Sequence, residues 1–297
     1  MLPASGLQFR LSPQGRRAVT VVVWLSAVVG VALGVETLAL HLGLDPFADV
    51  RIYYDAGARL NAGGPLYGVG SADGVGWYVY PPLLAIAFRP LALVPFPVAA
   101  GLWEAVIVAA VALALRRAGL TRRTALVAAW LALPICWALA VGQAEPVVTA
   151  LLAIGSPATV ALAGHIKLVP WLAAAYWVGR GDFRSLVRFA DWVVAIAVLQ
   201  LVLAPDATLA VARGEWLSPA FNTRNISPFA TNPILWAALA LTGTAVALRL
   251  ARGRFGWAAA VALAVFANPR LLVYQLMSLL AGLAGLHTVD PTPERAA

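Results

Sequence analysis

Residues 18–42 read AVTVVVWLSAVVGVALGVETLALHL, and this apolar run decides the fold class of the chain. As a helix it is long enough to cross the roughly 30 Å hydrocarbon core of a bilayer. The whole chain of 297 residues is 62% hydrophobic and 11% charged, whereas soluble domains carry about 25% charged residues. We therefore predict an integral membrane protein. No persuasive small-residue cleavage site follows the run, so we interpret it as an uncleaved anchor.

Similar apolar runs recur along the chain, and they are rich in Ala, Val and Leu with interspersed Gly and Pro. Such runs are typical of helical bundles, whereas membrane barrels show a weaker alternating pattern. We predict an all-α, polytopic transmembrane bundle of about eight to ten membrane helices, forming a single domain over residues 1–297. The single cysteine, Cys136, excludes an intramolecular disulfide.

Basic residues cluster in short segments beside the apolar runs, and these clusters predict the orientation of the bundle. They are Arg10, Arg16 and Arg17; Arg116, Arg117, Arg122 and Arg123; Arg180, Arg184 and Arg188; and Arg249, Arg252 and Arg254. Because basic loops tend to stay in the cytoplasm, we expect a cytoplasmic N terminus and a cytoplasmic tail at 287–297. The polar loops 45–82 and 205–232 then face outward. The same clusters explain the net charge of +8 better than nucleic-acid binding does.

The first outer loop is followed by a short apolar segment, Pro82–Val94. The long helix before the loop runs outward and the long helix after this segment must run inward, so the segment itself cannot cross the membrane. As a helix it would span about 20 Å, which is less than the hydrocarbon core. We therefore predict two interfacial helices here, the first at about Val50–Asn61 and the second at Pro82–Val94.

The middle of the chain, Pro146–Gly179, has an awkward length for membrane crossing and is interrupted at Gly155-Ser156-Pro157. Short or re-entrant helices are expected there, with the irregular backbone enclosed by protein or facing a wet cavity. A further short membrane helix is expected at Trp192–Leu203.

The first outer loop also concentrates carboxylates and aromatic rings between two apolar regions. These residues are Asp45, Asp49, Asp55 and Asp73, with Tyr53, Tyr54, Tyr67, Trp77, Tyr78 and Tyr80. Such a set at a bilayer edge suits a sugar-binding site, although aromatic belts are also common at membrane interfaces.

Four short motifs resemble glycosyltransferase family 87. They are Asp49-Val-Arg-Ile-Tyr53-Tyr54, Tyr80-Pro81-Pro82-Leu83, Gly142-Gln143 and Lys167-Leu-Val-Pro170, and the similarity is greatest over Ala18–Arg188. The resemblance implies a C-type membrane glycosyltransferase fold and a polyprenyl-phosphate-mannose-dependent alpha-mannosyltransferase activity. The chain is shorter than is usual in the family, and Glu145-Pro146 stands where a small polar residue is more usual.

The resemblance implies that the acid of the first outer loop, Asp49, is the catalytic base that deprotonates the acceptor hydroxyl. The alternative is that Asp49 caps the start of the first interfacial helix, as Asp does well. Asp55 is the competing base, although its position within the helix also suits a solvated face.

The remaining candidates would bind substrate. Lys167 lies in a strongly apolar stretch, where an ionisable group costs at least about 2.5 kcal/mol, so it is a candidate for the donor phosphate unless it snorkels to the surface. Arg224 and Arg270 are further phosphate candidates, since Arg can hold phosphate through two hydrogen bonds, although lipid headgroups would satisfy them equally. Tyr53, Tyr54 and Tyr80 could stack on sugar faces, and Gln143 could hydrogen-bond sugar or phosphate.

The sequence contains no Asp-x-Asp pair and no His/Cys set at ligand spacing, which favours a metal-independent reaction without a cofactor. The leading hypothesis is transfer of a hexose, mannose by the resemblance, from a polyprenyl-phosphate donor to a glycolipid or envelope glycan at the outer face of a bacterial inner membrane. Membrane lipid is the other expected partner. The alternatives are a catalytically silent relative that acts as an envelope scaffold, and a lipid or solute transporter.

Overall fold

The computed structural model describes residues 12–70, 76–216 and 224–286, and the regular secondary structure within these ranges is helical. An isolated bridge between Gly70 and Trp77 is the one β contact there. The predicted all-α bundle is therefore confirmed. Arg10, Asp73 and the tail 287–297 lie outside the described residues.

Thirteen α-helices occur in this part of the chain. They are α1 Pro13–Leu44, α2 Ala48–Asn61, α3 Pro82–Phe88, α4 Phe96–Arg117, α5 Arg122–Trp130, α6 Ala132–Val141, α7 Glu145–Ile154, α8 Pro157–Ile166, α9 Ala175–Arg180, α10 Phe183–Leu203, α11 Pro205–Ala212, α12 Pro233–Leu250 and α13 Gly256–Phe266. Short 3₁₀ helices lie at Leu91–Leu93, Val169–Ala174 and Pro228–Ala230, and a longer one at Val273–Leu286.

Among the described helices, α1, α4, α10 and α12 are long and apolar enough to cross a membrane. Helices α5 and α6 add a fifth crossing if they count together, although the pair is bent by 63°. The bend has a local cause, because the ring of Pro134 conflicts with the carbonyl of Trp130, the last residue of α5. The expected eight to ten membrane helices are reached only when the shorter apolar helices α7, α8, α13 and Val273–Leu286 are included.

Helix α10 is longer than the expected segment Trp192–Leu203, because it begins at Phe183. The Asp182 carboxylate caps its start by accepting a hydrogen bond from the Ser185 amide at 3.0 Å. Arg184 and Arg188, in the first turns of α10, lower the hydropathy of the first half of this helix. A prediction from apolar runs alone therefore placed the start too late.

The two short helices expected around the first outer loop are present as α2 and α3, which pack against each other. Gly57 permits a close approach, since a Cβ at this position would lie 2.7 Å from the backbone of Phe88. The second segment stops being α-helical near Pro90 and continues as the 3₁₀ turn Leu91–Leu93. Their placement along the outer membrane face remains a prediction.

The middle block is divided into short helices, as the sequence indicates. Gly155 ends α7 in the left-handed conformation with φ of 67°, and Ser156 then caps α8 in a reciprocal capping box with Thr159. The buried core surrounds α7, which packs against α4, α8 and the helix Val273–Leu286.

The 3₁₀ helix Val273–Leu286 repeats every three residues, so its side chains form three columns. The columns that begin at Tyr274 and Gln275 are buried in the bundle, whereas the column of Val273 is more exposed. This period places Gln275 and Ser278 above one another on a single inward face.

Candidate active site

The start of α2 is hydrogen-bonded to the end of α6, and this contact brings Asp49 and Gln143 together. Phe47 precedes α2 in the left-handed conformation with φ of 57°, and its amide donates a hydrogen bond to the Ala140 carbonyl at 3.0 Å. Gly142 ends α6 with φ of 69° and turns the chain so that Gln143 points back toward α2. Two segments separated by the long helix α4 thereby share one polar centre.

Gln143 is fully buried and holds the Asp49 carboxylate. Its Nε2 donates to Asp49 Oδ2 at 2.8 Å and to the Tyr80 hydroxyl at 3.2 Å. Its Oε1 accepts a hydrogen bond from the Tyr53 hydroxyl at 2.6 Å and another from the Ala144 amide at 2.8 Å. The orientation of the amide is therefore fixed from both ends.

Asp49 does not cap α2, because Phe47 is the N-cap residue and no side chain caps the helix. The capping alternative is therefore wrong, and the carboxylate is available to the polar centre. Burial raises the pKa of Asp49 to about 6, although the charges of Lys167 and Arg270 and the hydrogen bond from Gln143 act to lower it. A carboxylate that titrates near 6 is both ionised at neutral pH and basic enough to accept a proton.

Lys167 is buried and does not snorkel to the surface, so that alternative is also wrong. Its Nζ lies 2.7 Å from Oε2 of Glu145, which is buried as well. The ammonium also lies 4.9 Å from the ring centroid of Tyr274 and 5.4 Å from that of Tyr80. A buried cation with a close counterion and two aromatic neighbours is held in a fixed position, although burial of the pair carries a desolvation cost.

Glu145 is the principal site residue that the sequence interpretation did not assign. Ser278 Oγ donates a hydrogen bond to its Oε1, and the Thr149 and Ser278 hydroxyls lie 2.8 Å apart. The available signal was a second ionisable residue in an apolar block, 22 positions before Lys167. Ser278 could not be found from the sequence, because its inward position depends on the 3₁₀ period.

Arg270 is a cation whose guanidinium makes no hydrogen bond or salt bridge to any described residue, and its Nε is buried. Its backbone is well held. The Arg270 amide donates to Asn268 Oδ1 at 3.0 Å, and Asn225 clamps both Pro269 and Leu271 through its side-chain amide. An anchored arginine with an unused guanidinium suits an anionic ligand.

Lys167 and Arg270 line a cavity of about 690 Å³, with the open solvent at its mouth included. Tyr80, Tyr274, Gln275 and Trp216 are among the other lining residues. A smaller cavity of about 300 Å³ shares Lys167, Asn268 and Gln275 with it and extends between Val148, Leu152, Pro170, Ala264 and Val265. We call the larger space the catalytic cavity; Asp49 connects to it through Gln143 and Tyr80.

The structure thus brings together six of the nine predicted site residues: Asp49, Tyr53, Tyr80, Gln143, Lys167 and Arg270. The other three lie elsewhere. Tyr54 donates its hydroxyl to the Val94 carbonyl at 2.9 Å, and Asp55 interacts electrostatically with Arg59 on the same helix. Both lie more than 100° around the α2 helix from Asp49, whereas Tyr53 shares its face. Arg224, with φ of 56°, does not line the catalytic cavity.

Among the described residues, no group of three or more His, Cys, Asp or Glu side chains is arranged to hold a metal ion. Metal independence stays a prediction. The cations that the structure places beside the catalytic cavity are side chains of the protein itself, Lys167 and Arg270.

Two curated relatives are similar to this chain. A polyprenol-phosphate-mannose-dependent alpha-(1-2)-phosphatidylinositol pentamannoside mannosyltransferase of Mycobacterium tuberculosis is 34% identical over 220 residues, which cover 66% of this chain and 51% of the relative. The protein of the same name from Mycolicibacterium smegmatis is 31% identical over 183 residues, which cover 54% of this chain and 45% of the relative. The chain spans about half the length of these relatives, and no solved structure matches it.

The sequence profile named Glycosyltransferase family 87 matches residues 78–288. The match starts after the helix that carries Asp49 and continues well past Arg188, where the resemblance was expected to weaken. It includes Gln143, Lys167 and Arg270. Because more than half of the chain is matched, this multi-pass helical membrane protein belongs to glycosyltransferase family 87.

Proposed function

We propose that the protein is a membrane mannosyltransferase that uses a polyprenyl-phosphate mannose donor and a glycolipid or cell-envelope glycan acceptor. The names of both relatives give the donor and the class of acceptor. The observation that carries the proposal is the unpaired guanidinium of Arg270 at a cavity that also contains Lys167 and lies close to Asp49. A phosphate-bearing sugar donor needs this combination of a cation and a nearby base.

The donor phosphate would contact Arg270 first, because the charge of Lys167 is already shared with Glu145. A guanidinium can donate two parallel hydrogen bonds to phosphate oxygens and so fix the orientation of the donor. Lys167 would then stabilise the phosphate through electrostatic attraction at a distance, without a direct ion pair to it.

In the proposed reaction, the Asp49 carboxylate removes the proton from the acceptor hydroxyl. The acceptor oxygen attacks C1 of mannose and forms the new glycosidic bond, while the bond between C1 and the phosphate oxygen breaks. The leaving polyprenyl phosphate takes up the electron pair, and Arg270 and Lys167 stabilise its added charge. By the family resemblance, a beta-linked donor is inverted to an alpha product.

The proposed setting is a bacterial inner membrane with a cytoplasmic N terminus and an outward-facing catalytic cavity. Its support is the arginine-rich connection between α4 and α5, which the positive-inside rule assigns to the cytoplasm. The α2 helix follows the opposite end of α1 and so belongs to the other membrane face.

The test is incubation of membranes that contain the protein with radiolabelled polyprenyl-phosphate mannose, followed by identification of labelled products. Asp49→Asn should lower the rate of transfer by about 10²–10⁴-fold, the usual loss on removing a general base. Asp191→Asn is a matched control, since Asp191 is exposed on α10 and away from the cavity. Full activity of Asp49→Asn would exclude this base, and a parent that neither transfers mannose nor binds the donor would favour the silent relative.

A further inference from the structure

A second large cavity lies beside α11 and is separate from the catalytic cavity. It has a volume of about 810 Å³, with open solvent included, and is formed by the loop after α2, the end of α3 and the segment 203–215. None of the residues that form the catalytic cavity also line this one. We call it the α11 cavity.

The charges of the α11 cavity are balanced. Arg89 and Arg213 contribute two positive charges, and Asp206 and Glu215 contribute two negative charges. Arg213 Nε donates to Glu215 Oε1 at 2.5 Å, and Arg89 donates to Asn61 and to the Leu203 carbonyl. The catalytic cavity, in contrast, contains the unpaired cation Arg270. A site with equal charges of both signs has no preference for an anion, and it offers many hydrogen bonds to a neutral ligand.

The two cavities share a thin wall. Val211 and Trp216 line the catalytic cavity, whereas Ala207, Ala210 and Glu215 from the same segment line the α11 cavity. Tyr67 lines the α11 cavity and donates its hydroxyl to the carbonyl of Tyr80, which lines the catalytic cavity. The two cavities are therefore lined by neighbouring residues of one segment, and one hydrogen bond links their walls.

We propose that the α11 cavity binds neutral sugar units of the acceptor glycan, next to the unit that reacts in the catalytic cavity. This assignment rests on the proposed mannosyltransferase function. Sugar hydroxyls both donate and accept hydrogen bonds, so carboxylates and guanidinium groups of one site can serve neighbouring hydroxyls at once. The balanced charge explains why such a ligand is a neutral sugar rather than a second phosphate.

The test uses mannotriose as a soluble neutral probe and measures its dissociation constant for the purified protein by titration calorimetry. Asp206→Asn and Arg213→Gln should each weaken binding by about tenfold, because each removes charge-assisted hydrogen bonds. Asp191→Asn should bind as the parent does. Excess inorganic phosphate should not displace mannotriose, because two carboxylates balance the charge of the two arginines in this cavity.

Absence of mannotriose binding, unchanged binding by both variants, or displacement by phosphate would each overturn the assignment. The assay does not require transfer, so it separates the two proposals. If membranes transfer mannose but the variants bind mannotriose normally, the α11 cavity is not the acceptor site and the enzyme function stands. If the variants lose mannotriose while no mannose is transferred, the cavity is a glycan site of a protein without the proposed activity.

Discussion

The side chains of the catalytic cavity differ in how their charges are balanced. Lys167 has Glu145 as a close counterion, whereas Arg270 has an anchored backbone and an unused guanidinium. Asp49 lies between opposing influences, since burial raises its pKa while the two cations lower it. Substitutions at single residues should separate these roles.

Gln143→Leu tests how the base is tuned. The Gln143 amide donates to the ionised form of Asp49, so its loss should raise the pKa of Asp49 above the present value of about 6. The rate of transfer increases with pH as Asp49 loses its proton, so the midpoint of the acid limb should move to higher pH. This midpoint is measured from the pH profile of kcat/KM. An unmoved midpoint with a uniformly lower rate would show that Gln143 only supports the fold.

Arg270→Ala should reduce transfer by about 100-fold, the usual cost of losing a donor to developing negative charge. Arg270→Lys should recover only part of this loss, because an ammonium cannot make two parallel bonds to phosphate. Initial rates over a range of donor concentrations provide the measurement. Normal donor kinetics in both variants would show that the phosphate is held elsewhere.

Lys167→Met should destabilise the protein by about 3–5 kcal/mol, because Glu145 would be left as an unpaired buried charge. The double substitution Glu145→Gln with Lys167→Met should recover much of that stability, since neither position then carries a charge. Unfolding in detergent, compared among the parent, single and double variants, measures the coupling. Equal destabilisation by the single and double variants would contradict a coupled pair.

At the scale of elements, the turn between α6 and α7 decides whether a site exists. Gly142 is left-handed, and a Cβ there would lie 2.0 Å from Cγ2 of Val50 in α2. Gly181 at the end of α9 has nearly the same backbone angle, but a Cβ there would meet nothing within 4 Å. Substitutions at Gly142 and Gly181 therefore distinguish the cost of backbone strain from the cost of a steric clash.

Gly181→Ala should cost about 1–2 kcal/mol of stability from the left-handed backbone alone and leave transfer unchanged. Gly142→Ala should cost more and abolish transfer, because it pushes α2, and with it Asp49, away from Gln143. Thermal unfolding and initial transfer rates measure the two effects. Equal behaviour of both variants would mean that the contact between α2 and α6 does not position the base.

At the scale of the whole molecule, the long helices present large apolar side chains outward. Val22 of α1 is 64% exposed, Val202 of α10 is 72% exposed and Leu241 of α12 is 72% exposed, as side chains in lipid should be. Beyond one end of this belt lie the arginines between α4 and α5, and beyond the other lie α2 and α3. The proposed reaction depends on which end faces outward.

Cysteine labelling tests this orientation after Cys136 is replaced by Ala. Ala62→Cys follows α2 and should react with an impermeant maleimide in intact cells, because this end should face outward. Leu120→Cys, at a position 87% exposed beside the arginines, should react only after permeabilisation. The reverse pattern would place Asp49 in the cytoplasm and remove the basis for an outward-facing site.

The sequence by itself determined the class of the fold and the candidates for its chemistry. Long apolar runs, Gly-Pro breaks and arginine clusters are local signals, and they predicted the all-α bundle, the paired short helices around the first outer loop and the divided middle block. The acid and aromatic content of that loop, with the family motifs, identified Asp49, Gln143 and Lys167, and the phosphate chemistry of arginine added Arg270. Local signals could not say whether each charge had a counterion.

The tertiary structure decided which candidates act together. Glu145 and Lys167 become a pair only because α7 and α8 fold back on each other, and Ser278 joins them through the 3₁₀ period of its helix. Tyr54 and Asp55 leave the site because helical geometry turns them away from Asp49. The pairing of charges depends on distances between segments far apart in the chain. Packing of the whole bundle sets those distances, and a pattern within any single segment does not contain them.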